Sequence, residues 1–148
     1  FIRKKIFEEV KKIYSNFKWE SIISKNSVIN ENVKIGNGSL VVSGSIINTG
    51  TILGDHCIIN TSSSIDHDNN FANFSSVGPG VITGGNVKVG TLSHLGLGST
   101  VKHEITIGKN TIVGGKSFVN KNCESNSVYY GVPAKKIRNR NLKDKYLA

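Results

Sequence analysis

Residues 29–65 read INENVKIGNGSLVVSGSIINTGTILGDHCIINTSSSI. A step of six from Ile29 lands on Ile35, Val41, Ile47, Leu53, Ile59 and Ile65. The same step continues without insertion or deletion through Phe71, Val77, Thr83, Val89, Leu95, Val101, Ile107, Val113 and Val119. Fifteen of these sixteen positions are apolar, with Thr83 the exception, although only 37% of the chain is hydrophobic. The residue after each of them is often Gly or Asn, as at Gly36, Asn48, Gly54, Asn60, Gly78, Gly84, Gly90 and Gly96. Those types tolerate left-handed backbone and suit tight corners. The residue four after each is mostly small or β-branched, as at Val33, Ser39, Ser45, Thr51, Cys57, Ser63, Ser75 and Val81. A narrow interior needs that taper of size.

Neither the helical period of 3.6 nor the strand period of 2 explains a period of six with corner residues. A triangular solenoid does. Each hexapeptide is a short strand and a turn, three make a coil of eighteen residues, and coils stack about 4.8 Å apart. Sixteen hexapeptides amount to just over five coils. The chain then divides into an N-terminal helix and linker (1–28), an all-β parallel helix (29–128) and a basic C-terminal segment (129–148). Residues 2–18 carry Ile2, Ile6, Val10, Ile13 and Phe17 at helical spacing, which predicts an amphipathic helix. It reads as the last helix of a preceding domain, as a cap over the open solenoid end, or as both. The chain opens at Phe1 inside that helix and contains no Met, so it is expected to be a fragment whose N-terminal part is missing. Tyr129–Lys135 leave the repeat, and a basic tail, loop or helix, is predicted from Lys136 to Ala148.

The formal net charge of +9 raises the question of nucleic acid. The charge sits at the ends. Residues 29–128 hold six Lys against six Asp and Glu, so no basic stripe runs along the body. That argues against a nucleic-acid binder. No apolar run is long enough to span a membrane and no signal peptide is visible, so a cytoplasmic location is expected. Cys57 and Cys123 both fall in the small interior column, which predicts buried thiols rather than a disulfide or nucleophile. No CxxC pair suggests a metal.

Four histidines occur: His56, His67, His94 and His103. Residues eighteen apart stack on one side of the solenoid, so the column through His67 reads Glu31, Thr49, His67, Gly85, His103, Lys121. Gly85 should lie beside His67, one coil along, with a missing side chain where a substrate needs room. Asp66-His67-Asp68 is the one place where acids flank a histidine, and a neighbouring carboxylate orients an imidazole and raises its basicity. His67 is therefore the candidate general base. His56 reads as a solvated surface residue, and His94 and His103 as candidates to line a cleft between subunits.

From Ile58 to Arg138 the chain resembles hexapeptide-repeat sugar acyltransferases of the sialic-acid O-acetyltransferase and nucleotide-amino-sugar N-acetyltransferase group. The stretches that carry the resemblance are NTSSSIDHDNNF, SVGPGVITGGNVKVG, IGKNTIVGGKSFVNK and GVPAKKIR. The resemblance implies a left-handed solenoid, whereas strand physics alone favours right-handed crossovers. It implies His67 as general base with Asp68 assisting, where the family often has Glu. It implies acetyl-CoA in a groove between subunits of a homotrimer, with Ser76, Gly85, Leu97 and Gly115 as cofactor contacts. Ser76 stands where relatives often carry His. Lys135, with Lys136, follows the GVPA turn and is a candidate for the CoA phosphates. The implied acceptor is a sugar or nucleotide-sugar, with no metal. Two alternatives stay open: a non-catalytic β-helix scaffold, and a metal enzyme of the β-helix carbonic anhydrase type, whose three-His zinc site the spacings here do not resemble.

Overall fold

The computed structural model describes residues 2–141 and Asp144. From Ile22 to Gly131 the chain winds as a parallel β-solenoid of about six turns. Its three faces are built of two-residue strands. The first face stacks Ile22–Ile23, Leu40–Val41, Ile58–Ile59, Ser76–Val77, His94–Leu95 and Ile112–Val113, and ends on Ser127–Gly131. The second runs from Val28–Ile29 through Ser64–Ile65 and Ile82–Thr83 to Phe118–Val119. The third runs from Lys34–Ile35 through Asn70–Phe71 to Thr106–Ile107. Register pairs such as Ile58 with Ser76 and Ser76 with His94 are eighteen apart, as the repeat predicts. The solenoid begins one hexapeptide before Ile29, because Ile22–Ile23 already pairs with Leu40–Val41. That accounts for the extra part-turn over the expected five.

Within each strand the second residue points inward. Val41, Ile47, Leu53, Ile59, Ile65, Phe71, Val77 and their successors are all but inaccessible. The small column lies beside them, and its hydroxyls satisfy corner carbonyls fifteen residues on. Ser39 Oγ donates to Gly54 O (3.0 Å), Ser45 to Asn60 O (2.9 Å) and Ser63 to Gly78 O (3.0 Å). Hydroxyls and small apolar groups share the shaft, so buried carbonyls find partners without widening the coil. Cys57 and Cys123 are buried free thiols in that shaft.

The corners correct one expectation. From Ile29 to Val113, left-handed residues lie three after each core position, not one after: Asn32, Gly38, Gly44, Gly50, His56, Ser62, Asp68, Phe74, Gly80 and onward to Lys116. Bulky residues tolerate this at roughly 1 kcal/mol or more each, as at Phe74 (φ 61°) and Leu92 (φ 62°). Most such corner N–H groups donate to a carbonyl one coil back, as Asp68 does to Thr49 (2.9 Å). Glycines directly after the aliphatics serve close approach of coils instead. A Cβ on Gly78 would sit 2.7 Å from Leu97 N, and one on Gly96 would sit 2.5 Å from Gly115 N.

Both ends depart from expectation. The helix spans Ile2–Ile13 and stops before the turn-forming Ser15 and Asn16. Ile2, Ile6 and Ile13 stay exposed. The docking side is Arg3 and Phe7, which meet an edge of the solenoid rather than its open end. Arg3 donates to the carbonyls of His56 and Phe74. Phe7 contacts the rings of His56, Phe74 and Trp19 at centroid separations of 4.6, 5.6 and 5.5 Å. At the open end Ile23 remains 47% exposed. At the other end Ser127–Gly131 and Ala134–Asn139 form an antiparallel hairpin, so residues 134–139 are strand, not helix. The backbone of Ser127–Gly131 completes the first face and offers its free edge to Ala134–Asn139. The predicted tail beyond Asn141 lies, except for Asp144, outside the described residues. No helix among the described residues is long and apolar enough to cross a membrane.

Candidate active site

The edge between the second and third faces carries Asp66-His67-Asp68 as one corner. Asp66 caps it, its Oδ1 accepting the His67 N–H at 2.8 Å. Asn30 Nδ2 donates to Asn48 Oδ1 (2.7 Å), and Asn48 Nδ2 to Asp66 Oδ1 (3.4 Å), a ladder up successive coils that orients the cap. Asp68 adopts φ 55°, which turns its carboxylate back toward the preceding ring. Asp68 Oδ2 lies 2.9 Å from His67 Nδ1. Both side chains are open to solvent, the imidazole 49% so. The hydrogen bond to Asp68 raises the His67 pKa above its usual value, with the Asp66 charge adding to it.

Glycines lie on both sides of the pair. A Cβ on Gly85 would sit 2.5 Å from His67 Cε1 and 3.0 Å from Cδ2, with Nε2 the nearest ring atom. The predicted adjacency is present, but the missing side chain makes room for the imidazole itself rather than for a substrate. One coil back, a Cβ on Gly50 would collide with Asp68 Oδ1. Each member of the pair thus rests over a glycine, and Gly50 is a contributor that sequence reading missed. Its signal was available: it lies eighteen residues before Asp68.

The remaining predicted residues fall elsewhere on the chain. Leu97 and Gly115 stack at the edge between the first and second faces, where a Cβ on Gly115 would touch Leu97 Cγ at 3.3 Å. Ser76 lies on the outer side of the first face, its Oγ 2.8 Å from His94 Nδ1. Burial, with Arg3 and Arg140 nearby, pushes His94 down to about 4, so its ring is neutral at physiological pH. Lys135 is an exposed residue of the hairpin, paired across it with Tyr130. Lys136 is engaged by Glu124 Oε2 at 2.7 Å. His56 is no solvated histidine. It is 8% exposed, stacked on Phe74 at 4.8 Å, and burial lowers its pKa. Phe74 stands eighteen residues on, a partner the repeat spacing already offered, but Phe7 comes from the helix, which shares no period with the repeat. Burial raises both thiols, Cys123 to about 12, which leaves them poor nucleophiles. Among the described residues no group of three or more His, Cys, Asp or Glu converges as a metal site requires.

On one chain, then, His67, Asp68 and Gly85 come together at one edge, Leu97 and Gly115 at another, and Ser76 on a face. A cavity of about 240 Å³ lies under the helix against His56 and Trp19, and His67 does not line it.

No protein-family model matches the chain. Solved structures do. The acetyltransferase domain of PglB from Neisseria gonorrhoeae FA1090 is 27% identical with a TM-score of 0.87, over 92% of this chain and 65% of that one. PerB from Caulobacter crescentus, in complex with CoA and GDP-perosamine, is 32% identical with a TM-score of 0.88, over 93% of this chain and 65% of that one. WeeI from Acinetobacter baumannii AYE is 26% identical with a TM-score of 0.86, over 92% of this chain and 66% of that one. The chain thus spans a little under two thirds of the length of these proteins. Its structural neighbours are hexapeptide-repeat sugar and nucleotide-sugar N-acetyltransferases, and it carries their β-solenoid.

Proposed function

We propose that the chain transfers an acetyl group from acetyl-CoA to an amino or hydroxyl group of a nucleotide-linked sugar, with His67 as general base and Asp68 as its orienting partner. The observation that carries this is the 2.9 Å contact between His67 Nδ1 and Asp68 Oδ2. With Nδ1–H donating its hydrogen bond to the Asp68 carboxylate, the lone pair sits on Nε2, the ring atom nearest Gly85. The acceptor nitrogen or oxygen attacks the thioester carbonyl as Nε2 takes its proton. A backbone N–H, that of Gly85, stabilises the tetrahedral oxyanion. Collapse breaks the C–S bond, and the imidazolium returns its proton to the departing CoA thiolate. No acyl-enzyme is required. Both thiols are buried, and the Ser76 hydroxyl faces an imidazole whose depressed pKa makes it a weak base.

The donor contacts assigned to Ser76, Gly85, Leu97, Gly115 and Lys135 do not meet on one chain. A groove between two copies brings both edges to one acetyl-CoA, and a homotrimer supplies it three times. The second face separates those two edges, and its outer side exposes Val28, Ile46 and Ile82. That exposed apolar surface supports a packed neighbour. Bound CoA and GDP-perosamine in PerB support the donor and a nucleotide-sugar acceptor. A cytoplasmic location belongs to the same proposal.

The test is turnover of acetyl-CoA against a panel of nucleotide-linked amino sugars and sialic acid. His67→Ala should lower the rate by about 10²–10⁴ with the fold intact. Transfer near the wild-type rate in that variant sinks the proposal.

A further inference from the structure

We propose that Asn69 and Thr83 are positioning residues for His67, holding the Asp66-His67-Asp68 corner from inside the solenoid. This rests on the reading of His67 as the general base. Each of the two breaks the pattern of its interior column. The small column otherwise holds Ser, Thr, Cys, Val and Ile, and the aliphatic column holds no other hydroxyl. Both are buried, at 1% and 2% exposure. Both bond to the same corner.

Asn69 does what a serine does elsewhere in its column, and more. Its Nδ2 donates to Gly84 O at 3.0 Å, fifteen residues on, like Ser63 to Gly78 O. Its other N–H is shared between Asp66 O at 2.6 Å and His67 O at 3.1 Å. One amide therefore ties the base's own carbonyl, and the one before it, to the coil that carries Gly85. Thr83 acts at the other side of the corner. The N–H of Asn48, Gly54, Ala72, Gly78 and Gly84 each donates to a backbone carbonyl seventeen residues on. The equivalent N–H of Asp66 donates to Thr83 Oγ1 at 3.3 Å.

The arrangement has a cost that the fold does not demand. Asn69 Oδ1 is one of two buried side-chain polar atoms, with Ser99 Oγ, that lack a partner among the described residues. A serine at 69 would keep the Gly84 bond and bury no orphan carbonyl. An unpaired acceptor retained beneath the base is what a positioning role predicts, since small displacements of a base cost rate steeply. The charged groups facing the His67 ring are Asp66 and Asp68.

The experiment compares Asn69→Ser, Thr83→Val and Thr83→Ser by two readouts. The first is the His67 titration followed by NMR on histidine-labelled full chain, which needs no acceptor. Asn69→Ser and Thr83→Val should loosen the His67–Asp68 bond, so His67 titrates at lower pH, toward the ordinary imidazole value. Thr83→Ser keeps the hydroxyl and should titrate like the wild type. The second is turnover, where kcat should fall about tenfold or more while KM for acetyl-CoA stays within about twofold. An unmoved His67 titration in folded Asn69→Ser and Thr83→Val overturns the positioning role. So does an equal shift in Thr83→Ser. Should Asn69→Ser fail to fold, the Thr83 pair decides. A shifted titration with no acetyl transfer by the wild-type protein on any acceptor overturns the acetyltransferase reading instead, so the two failures stay distinguishable.

Discussion

The Asp68 carboxylate reaches His67 Nδ1 from the next residue in the chain, at 2.9 Å. Successive side chains on a strand point to opposite sides. The pair meets because Asp68 stands in the left-handed corner position, with φ 55°. The hydrogen bond is a property of the corner, and it sets the protonation of the ring.

That link gives a pH prediction. The raised pKa of His67 means that the free base appears only at higher pH, so kcat/KM should fall as pH drops through a value above about 6.5. Asp68→Asn removes the charged acceptor. The acid limb should then move down, and kcat/KM at its plateau should fall about 10- to 100-fold, since an imidazole held in the wrong tautomer or orientation is a poor base. A pH–rate profile for wild type and variant checks both.

The glycines on either side of the pair give a steric prediction. In Gly85→Ala the new methyl would overlap the His67 ring, and in Gly50→Ala it would overlap the Asp68 carboxylate. Gly85→Ala should lose about 100-fold in kcat with near-native circular dichroism, because a displacement of about 1 Å at the base is enough. Gly50→Ala should mimic Asp68→Asn in its pH profile, and its φ of 73° adds a stability loss of about 1 kcal/mol.

Acid stability follows from the buried histidines. His94 is held down to about 4 by burial, and His56 is lowered for the same reason. The unfolded chain binds these protons near pH 6.5 and the folded chain does not. Stability should therefore be intact above pH 6.5, decline as pH falls from there toward 4, and for His94 flatten below. The loss from His94 should be at most a few kcal/mol. Thermal melts between pH 7 and 4 check this, with His94→Asn showing a shallower decline.

Two glycines of the same edge should differ in what their substitution costs. A methyl on Gly96 would press on the backbone of Gly115 at 2.5 Å and of Val113 at 2.7 Å. Gly96→Ala should cost about 2–4 kcal/mol, because backbone on the next coil cannot move aside. Gly80→Ala meets nothing within 4 Å and carries only its φ of 65°, so it should cost about 1 kcal/mol. Denaturant midpoints of the two variants separate them.

The sequence alone determined the solenoid, its coil of eighteen, the burial of Cys57 and Cys123, and the stacking of Gly85 on His67. All of these follow from one period, because a one-dimensional repeat converts sequence separation directly into neighbourhood. It also set His67 between two acids; Asp68 as the partner came from the family resemblance, and the structure shows that contact. Only the tertiary structure decided what each glycine is for. Those after the core aliphatics relieve contact between coils, a constraint from the facing backbone, while the left-handed corners lie two residues further on. Only the structure revealed that His56 is buried beneath Phe7, since that contact joins the helix to a coil with no shared period. And only the structure directed Asn69 and Thr83 at the His67 corner. In the sequence each is an interruption in an otherwise regular column. Once the coils close, the interior hydrogen bonds bring both interruptions to the Asp66-His67-Asp68 corner.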